Sequence, residues 1–383
     1  MIINIFGSTG TIGIKTLNLI DNNFIDLKIN LLVAKSNITL LKKQIKKYNP
    51  KYVFIYDKKK RYSLKPKINN TKVLNFEELI DYLKSNKSDL SILAISGYKS
   101  LYFLDAIINN TDNLGIASKE AIVSAGHIFK KNKYFNKTNI FPLDSEHYSL
   151  HEYFKKYNNI NPIKKIIITA SGGPFYNKKF HSLKNVKFSQ AIKHPKWKMG
   201  YKNSIDSATL VNKCLELIEA HYLFDISFND LKILIHPQAI VHSAIEFENF
   251  TTHFNLFKND MKIPIYNFLN QFNLKIKNKP DDLYINDFPS LSFIEVKNEI
   301  FPIYNFFNKI DKNQPQNLIK FNIGNEFAVE LFKNKKIKYT DIYKIINKVT
   351  SLNLYSPVKT IKDIINYHEE IENRLKSFKV PNM

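Results

Sequence analysis

The chain has 383 residues, 44% hydrophobic and 24% charged, which supplies cores for two or three domains and excludes a mostly disordered chain. No apolar run reaches the roughly 18–20 residues that cross a bilayer, so no membrane partner is expected. The formal net charge is 57 − 34 = +23, yet Arg61 and Arg374 are the only arginines, and the excess is lysine scattered through a chain rich in Ile, Asn, Tyr and Phe.

Such scatter reads as a drift in composition rather than a basic face, and arginine, the preferred reader of phosphates and base edges, is nearly missing. A nucleic-acid partner is therefore not expected, whereas a phosphorylated small substrate would gain from the field. Met1 leads straight into a strand and a glycine loop, leaving no room for a signal or transit peptide. The single cysteine, Cys214, excludes an internal disulfide framework and fits a reducing, cytoplasmic setting.

In chain order, Ile2–Phe6, Leu27–Val33, Tyr52–Tyr56, Leu90–Ile95, Leu114–Ala117 and Ile140–Leu143 read as strands. Helical stretches such as Phe76–Leu83 and Leu101–Ile108 lie between them. The alternation predicts an α/β fold with an N-terminal Rossmann-like, doubly wound parallel sheet. From about residue 163 the texture changes. Ile163–Thr169 reads as a strand ending in Ser171-Gly-Gly-Pro174, Ser207–Phe224 as one helix, and Leu231–Ile235, Ala239–Phe247 and Thr251–Phe257 as strands, giving a central α+β domain. Residues 272–297 read as a linker, and the remainder as helical, with Asn325–Phe332, Tyr339–Val349 and Ile361–Leu375 the clearest pieces. The expected domains are 1–145, 146–271, the linker 272–297, and a C-terminal helical domain 298–383.

Gly7-Ser-Thr-Gly10-Thr-Ile-Gly13 follows the first strand and opens a helix, where glycines let backbone approach a pyrophosphate resting on the helix N-terminus. The second strand ends at Lys35-Ser36-Asn37, without the acid that holds the ribose hydroxyls of NAD. A cation and several hydrogen-bonding groups suit a 2′-phosphate instead, so NADPH is favoured; the plain alternative is one more surface lysine.

Asp144-Ser145-Glu146-His147 follows a strand, on the edge where open α/β sheets bind ligands. If extended, Asp144 and Glu146 project to one side and, as oxygen donors, suit Mg²⁺ or Mn²⁺. A helix N-cap with an acidic first turn fits the same residues. Asp206-Ser207 resembles an N-cap, with Ser207 at a helix start that favours anions. Asn212 and Lys213 lie four and three residues before Glu216, so the three share a face. For Lys213 and Glu216, a solvated salt bridge is the plain alternative.

Taken in order, Gly7–Gly13, Ala117-Ser-Lys119-Glu120, Leu143-Asp-Ser-Glu-His147, Ser171-Gly-Gly-Pro-Phe175, His194-Pro-Lys-Trp197-Lys-Met199-Gly200, Asp206–Glu216 and Ile235-His-Pro-Gln238 with His242-Ser243 resemble the 1-deoxy-D-xylulose 5-phosphate reductoisomerase family of isoprenoid biosynthesis. The resemblance implies an NADPH- and divalent-metal-dependent rearrangement and reduction of that sugar phosphate to 2-C-methyl-D-erythritol 4-phosphate, by a homodimer. It implies Asp144, Glu146 and Glu216 as metal ligands, and Lys119, Ser145 and Glu146 at the reacting part of the substrate. Ser171, Ser207, Asn212 and Lys213 match phosphate-binding positions, and His194 a substrate contact. The segment 171–203 would be a flap with Trp197 as its lid. Gly7, Thr9, Gly10, Thr11, Ile12, Gly13, Lys35, Ser36, Asn37, Ser118, Glu120 and Gly200 would contact NADPH. His236 and His242 read as supports, and Cys214 as buried and inert.

Two departures stand out. Ser118 replaces the family's usual Asn, and the turn Ala34-Lys35-Ser36-Asn37 lacks the glycine of Ala-Gly-x-Asn. A metal-free short-chain dehydrogenase is the rival enzyme class, but its Tyr-x-x-x-Lys pair matches only at Tyr56–Lys60, too early in the chain.

Overall fold

The computed structural model describes residues 1–383 except 24–25, 132–136, 157–161, 194–199, 273–279, 285, 287, 289 and 379–383. The chain forms two compact units. The first comprises Met1–Ala121, Phe129–Tyr148 and Asp260–Asp281, and the second Ile122–Ile128, Ser149–Asn259 and Asp282–Met383.

The first unit is built on an eight-stranded sheet of β1 (Ile2–Phe6), β2 (Lys28–Ala34), β3 (Tyr52–Ile55), β4 (Lys67–Ile68), β5 (Thr71–Val73), β6 (Ser88–Leu93), β7 (Thr111–Ile116) and β8 (Asn139–Pro142). Their order is β4-β5-β3-β2-β1-β6-β7-β8, parallel except for the β4–β5 hairpin. Without that hairpin, the order is the doubly wound one, with its reversal between β1 and β6. Ile3, Ile5, Phe6, Leu31, Leu32, Leu90 and Ile92 are fully buried, because a parallel sheet covered on both faces needs continuous apolar strands rather than alternating ones. Helix starts are fixed locally. Asn75 and Glu78 form a reciprocal capping box, and Asn37 Oδ1 accepts from Leu40 N at 3.0 Å.

The second unit holds a mixed sheet of β9 (Ile163–Ala170), β10 (Leu231–Ile235), β11 (Val241–Phe247), β12 (Thr252–Leu256) and β13 (Ile294–Glu295), ordered β12-β11-β9-β10-β13. Only β9 and β10 run parallel. Its later part is helical: Pro302–Lys309, Pro315–Lys333, Asp341–Thr350 and Ile361–Lys376.

The longer strands lie within a few residues of the sequence expectation. The differences are local. β4, β5 and β13 are two or three residues long and carry no readable period, and β13 gives an ordered edge to a stretch read as linker. The expected single helix Ser207–Phe224 is two helices, Tyr201–Thr209 and Val211–Phe224, broken at Leu210, whose φ of 70° is left-handed. Ser207 therefore sits in the last turn of the first helix, not at a helix start, and Asp206 is no N-cap. Neither Gly nor Pro marks the break in the sequence.

Candidate active site

In the first unit, Gly7 follows β1 with φ 97°, and a Cβ there would lie 2.3 Å from the Ala94 carbonyl oxygen. A Cβ on Gly13 would meet Gly7 O at 2.3 Å and Ser8 Cα at 2.6 Å. Only glycine allows this close crossing of β1, β6 and the first turn of the helix Thr11–Asn23. Gly7 N and Ser8 N both donate to Val33 O, at 2.8 and 2.9 Å, and Gly10 N donates to Gly7 O at 2.9 Å. Thr9 and Ile12 are half-buried, Gly10 and Thr11 exposed, so the outer half of the loop is open to solvent. Ser8 is fully buried, and its hydroxyl has no hydrogen-bond partner among the described residues. A sequence reading passes over Ser8 because nothing distinguishes it from its neighbours. The glycine-lined cradle and the orphaned hydroxyl fit a dinucleotide.

Beyond β2, Lys35 and Asn37 are exposed and Ser36 half-exposed. No residue from Ala34 to Asn37 has positive φ, so this turn does not require the glycine it lacks. Asn37 spends its side-chain oxygen on the helix it caps. Ser118 is buried, and its hydroxyl donates to Ile95 O at 2.7 Å. Glu120 is buried in the first turn of the helix Lys119–Lys131.

Lys119 follows β7 and Asp144 follows β8. Leu143 N donates to Ile116 O at 2.8 Å, prolonging the pairing of these neighbouring strands by one step. Lys119 Nζ accordingly meets Asp144 Oδ2 in an ion pair whose side chains are 14% and 17% exposed. Residues 144–146 are not extended. The helix Ser145–Lys156 starts at once, Asp144 O accepts from Tyr148 N at 2.8 Å, and Asp144 Oδ1 accepts from Glu146 N at 3.2 Å. The N-cap alternative describes the backbone, and it still leaves two carboxylates at one strand end. Ser145 Oγ donates to Glu146 Oε2 at 2.7 Å, and buried His147 holds Nδ1 3.1 Å from Asp144 Oδ1, a neighbour not singled out in the sequence. Oxygen donors of this kind, balanced by an ammonium, fit a hard dication such as Mg²⁺ or Mn²⁺.

In the second unit, Ser171 follows β9, and Gly173 N donates to its hydroxyl at 3.3 Å. Gly172 and Gly173 have φ 77° and 63°, and a Cβ on Gly173 would meet Ala208 Cα at 2.9 Å and Ser207 O at 3.0 Å. The glycines thus let the Ser171 turn touch the backbone at Ser207. Past the Leu210 break, Asn212 Nδ2 and Lys213 Nζ both donate to Glu216, the lysine at 2.7 Å. Lys213 and Glu216 are buried, so their pair is dry rather than a solvated surface bridge. An isolated buried carboxylate would be costly, and the lysine offsets that cost. Gly200 precedes the first helix with φ −60°, and a Cβ there would meet open space, so the fold itself does not require glycine. His194 and Trp197 lie outside the described residues.

The remaining motif residues are supports. His236 Nδ1–H donates to Ser292 O at 2.9 Å, its ring stacks on Phe293, and burial pushes its pKa down. The His242 ring stacks on Phe257 at 3.9 Å. Cys214 is wholly buried, and burial pushes its thiol pKa far up, which removes the reactive thiolate.

Residues 3–126 match the model of 1-deoxy-D-xylulose 5-phosphate reductoisomerase, 140–224 that of its C-terminal domain, and 256–374 a further model described as the DXP reductoisomerase C-terminal domain. The reductoisomerase of Thermodesulfovibrio yellowstonii is 37% identical over 364 residues, 94% of each chain. The chain belongs to the 1-deoxy-D-xylulose 5-phosphate reductoisomerase family. The family member of Pelagibacter ubique is 34% identical over 99% of each chain. Among solved structures, a reductoisomerase in complex with NADPH, fosmidomycin and magnesium aligns with TM-score 0.89 and 28% identity over 98% of each chain. The Zymomonas mobilis enzyme in complex with NADPH aligns at 0.85 and 29% identity, covering 98% of this chain and 99% of that one. The α/β class, with its Rossmann-like sheet, central mixed sheet and C-terminal helices, is the family fold.

Proposed function

We propose that the chain converts 1-deoxy-D-xylulose 5-phosphate to 2-C-methyl-D-erythritol 4-phosphate with NADPH and one Mg²⁺ or Mn²⁺ per site. The observation carrying this reading is the Lys119–Asp144 pair, with Glu146 beside it, at the carboxyl ends of adjacent strands in a sheet whose first loop is shaped for a dinucleotide. Asp144, Glu146 and Glu216 would hold the metal. When bound, NADPH supplies the hydride, and the dication polarises the substrate's oxygens as a Lewis acid.

The chain's own residues do the rest. The Lys119 ammonium donates a hydrogen bond and neutralises a developing alkoxide, while the Ser145 and Glu146 side chains orient the neighbouring oxygens. Ser171, Ser207, Asn212 and Lys213 receive the phosphate, and His194 contacts the substrate. The segment 171–203 acts as the flap, with Trp197 excluding water. Gly7 to Gly13, Lys35 to Asn37, Ser118, Glu120 and Gly200 seat NADPH, with Lys35 beside the 2′-phosphate.

Residues 1–145 would form the NADPH domain and 146–271 the catalytic and dimerisation domain, with 272–297 as linker and 298–383 as the helical domain. A homodimer in the cytoplasm, with no nucleic-acid partner, completes the proposal. Among the described residues, no helix is long and apolar enough to cross a membrane. The test is NADPH oxidation with deoxyxylulose phosphate. EDTA should abolish it and Mn²⁺ or Mg²⁺ restore it; turnover that survives EDTA would favour a metal-free dehydrogenase.

A further inference from the structure

The break at Leu210 is held from a distance. Left-handed backbone is unfavourable for a leucine, and such strain persists only where surroundings over-determine it. The last two turns of the helix Tyr201–Thr209 are fixed by two side chains of the C-terminal helical region. Asn325 Nδ2 donates to Asp206 Oδ1 at 2.8 Å, while Lys202 Nζ holds the other oxygen, Oδ2, at 2.9 Å. The Tyr339 hydroxyl donates to the Ala208 carbonyl at 2.7 Å. These bonds fall on the residues immediately before and after Ser207.

Asn325 is wholly buried, and its Oδ1 has no partner among the described residues, so its place in the core is stabilised through the hydrogen bond its Nδ2 donates to Asp206. An amide with one unmet group is a poor choice for packing alone. Tyr339 is likewise buried, wedged edge-on against Phe175 (ring centroids 5.2 Å apart), which belongs to the Ser171-Gly-Gly-Pro-Phe segment. One phenol therefore braces both the helix that carries Ser207 and the turn that follows Ser171.

We propose that Asn325 and Tyr339 are positioning residues for substrate phosphate, setting Ser207 through Asp206 and Ala208 and so adjusting affinity for the phosphorylated end of the substrate. The inference rests on the assignment of Ser207 to phosphate above. Neither residue touches the reacting atoms, so their loss acts on KM rather than kcat.

The test compares Tyr339→Phe, Asn325→Ala, Ser207→Ala and the Tyr339→Phe/Ser207→Ala double variant in the full chain. Tyr339→Phe and Asn325→Ala should each raise KM for deoxyxylulose phosphate about 3- to 10-fold, the worth of one hydrogen bond, with kcat and the KM for NADPH within about twofold of wild type. The double variant should be no worse than Ser207→Ala, because Tyr339 works through that residue. Equal losses in kcat and in NADPH affinity, or multiplicative effects in the double variant, would mark a merely structural role and overturn the proposal. If Ser207→Ala itself leaves KM unchanged, the phosphate assignment falls and the inference with it. A raised KM for Ser207→Ala beside normal values for the other two overturns the inference alone. Should Asn325→Ala fail to fold, Tyr339→Phe, which removes one oxygen, carries the same comparison.

Discussion

The Gly7–Gly13 loop and the bent helix pair Tyr201–Phe224 are each proposed to receive an anion, but they are made of different materials. The loop works with backbone: its glycines vacate space, its amides lie on the chain's own path, and an eight-stranded sheet holds it. The helix pair offers side chains, Ser207, Asn212 and Lys213, on two helices parted by a left-handed leucine, the first of them bonded by residues more than a hundred positions away. A backbone site is tuned by steric room, a side-chain site by the packing behind it. Substitutions should therefore fail in different ways in the two regions.

The largest effect should come from Glu216→Gln. Removing the charge leaves Lys213 buried without its carboxylate and takes away a proposed metal ligand, so kcat should fall about 10³-fold, roughly 4 kcal/mol of barrier, while NADPH binding stays near normal. Near-normal turnover at saturating Mn²⁺ would break the assignment. Gly7→Ala should show the opposite pattern. With its Cβ 2.3 Å from a backbone oxygen and φ at 97°, the loop must shift, weakening NADPH by about 100-fold in a fluorescence titration, or roughly 3 kcal/mol. Unchanged NADPH affinity would mean the loop is only a turn.

Acid should separate the regions more gently. Burial pushes the His368 pKa down from 6.5 to about 3, and burial together with Lys155 pushes His151 down to about 4; both lie in the second unit. Because the folded values lie below the unfolded ones, the stability these neutral imidazoles contribute is complete above pH 6.5. It is lost as pH falls from 6.5 toward 4 and 3, at up to about 1.4 kcal/mol per pH unit for each group. Denaturant melts between pH 7 and 4 should show this slope, and His368→Gln should flatten it. A flat profile in the wild-type chain would contradict the burial of His368 and the partial burial of His151.

Much of this was legible in the residues. Ile2–Phe6 and Leu231–Ile235 read as strands because short, largely apolar segments rich in Ile have few alternatives. Glu216, Lys213 and Asn212 share a face because helical spacing survives a shift of the helix start by several residues. The Leu210 break was not legible, since leucine carries no local signal for left-handed backbone, and the helix before it is bonded by Tyr339 and Asn325, which no local window contains. The extended alternative for Asp144–Glu146 yielded to the cap because the Asp144 side chain is short enough to reach the second amide beyond it. Ser8 escaped notice because an orphaned hydroxyl is a property of its surroundings and leaves no mark in the sequence.

Cys214 sits two residues from Glu216, sealed from solvent, and is the chain's one thiol. A thiol reagent can reach it only while the helix Val211–Phe224 is transiently open. The rate of its labelling in the native protein is therefore a clock on local opening beside the proposed ligand, readable without introducing any probe. Slower labelling with Mn²⁺ and substrate analogue bound would give, from a residue with no part in the chemistry, the free energy by which ligands close that element.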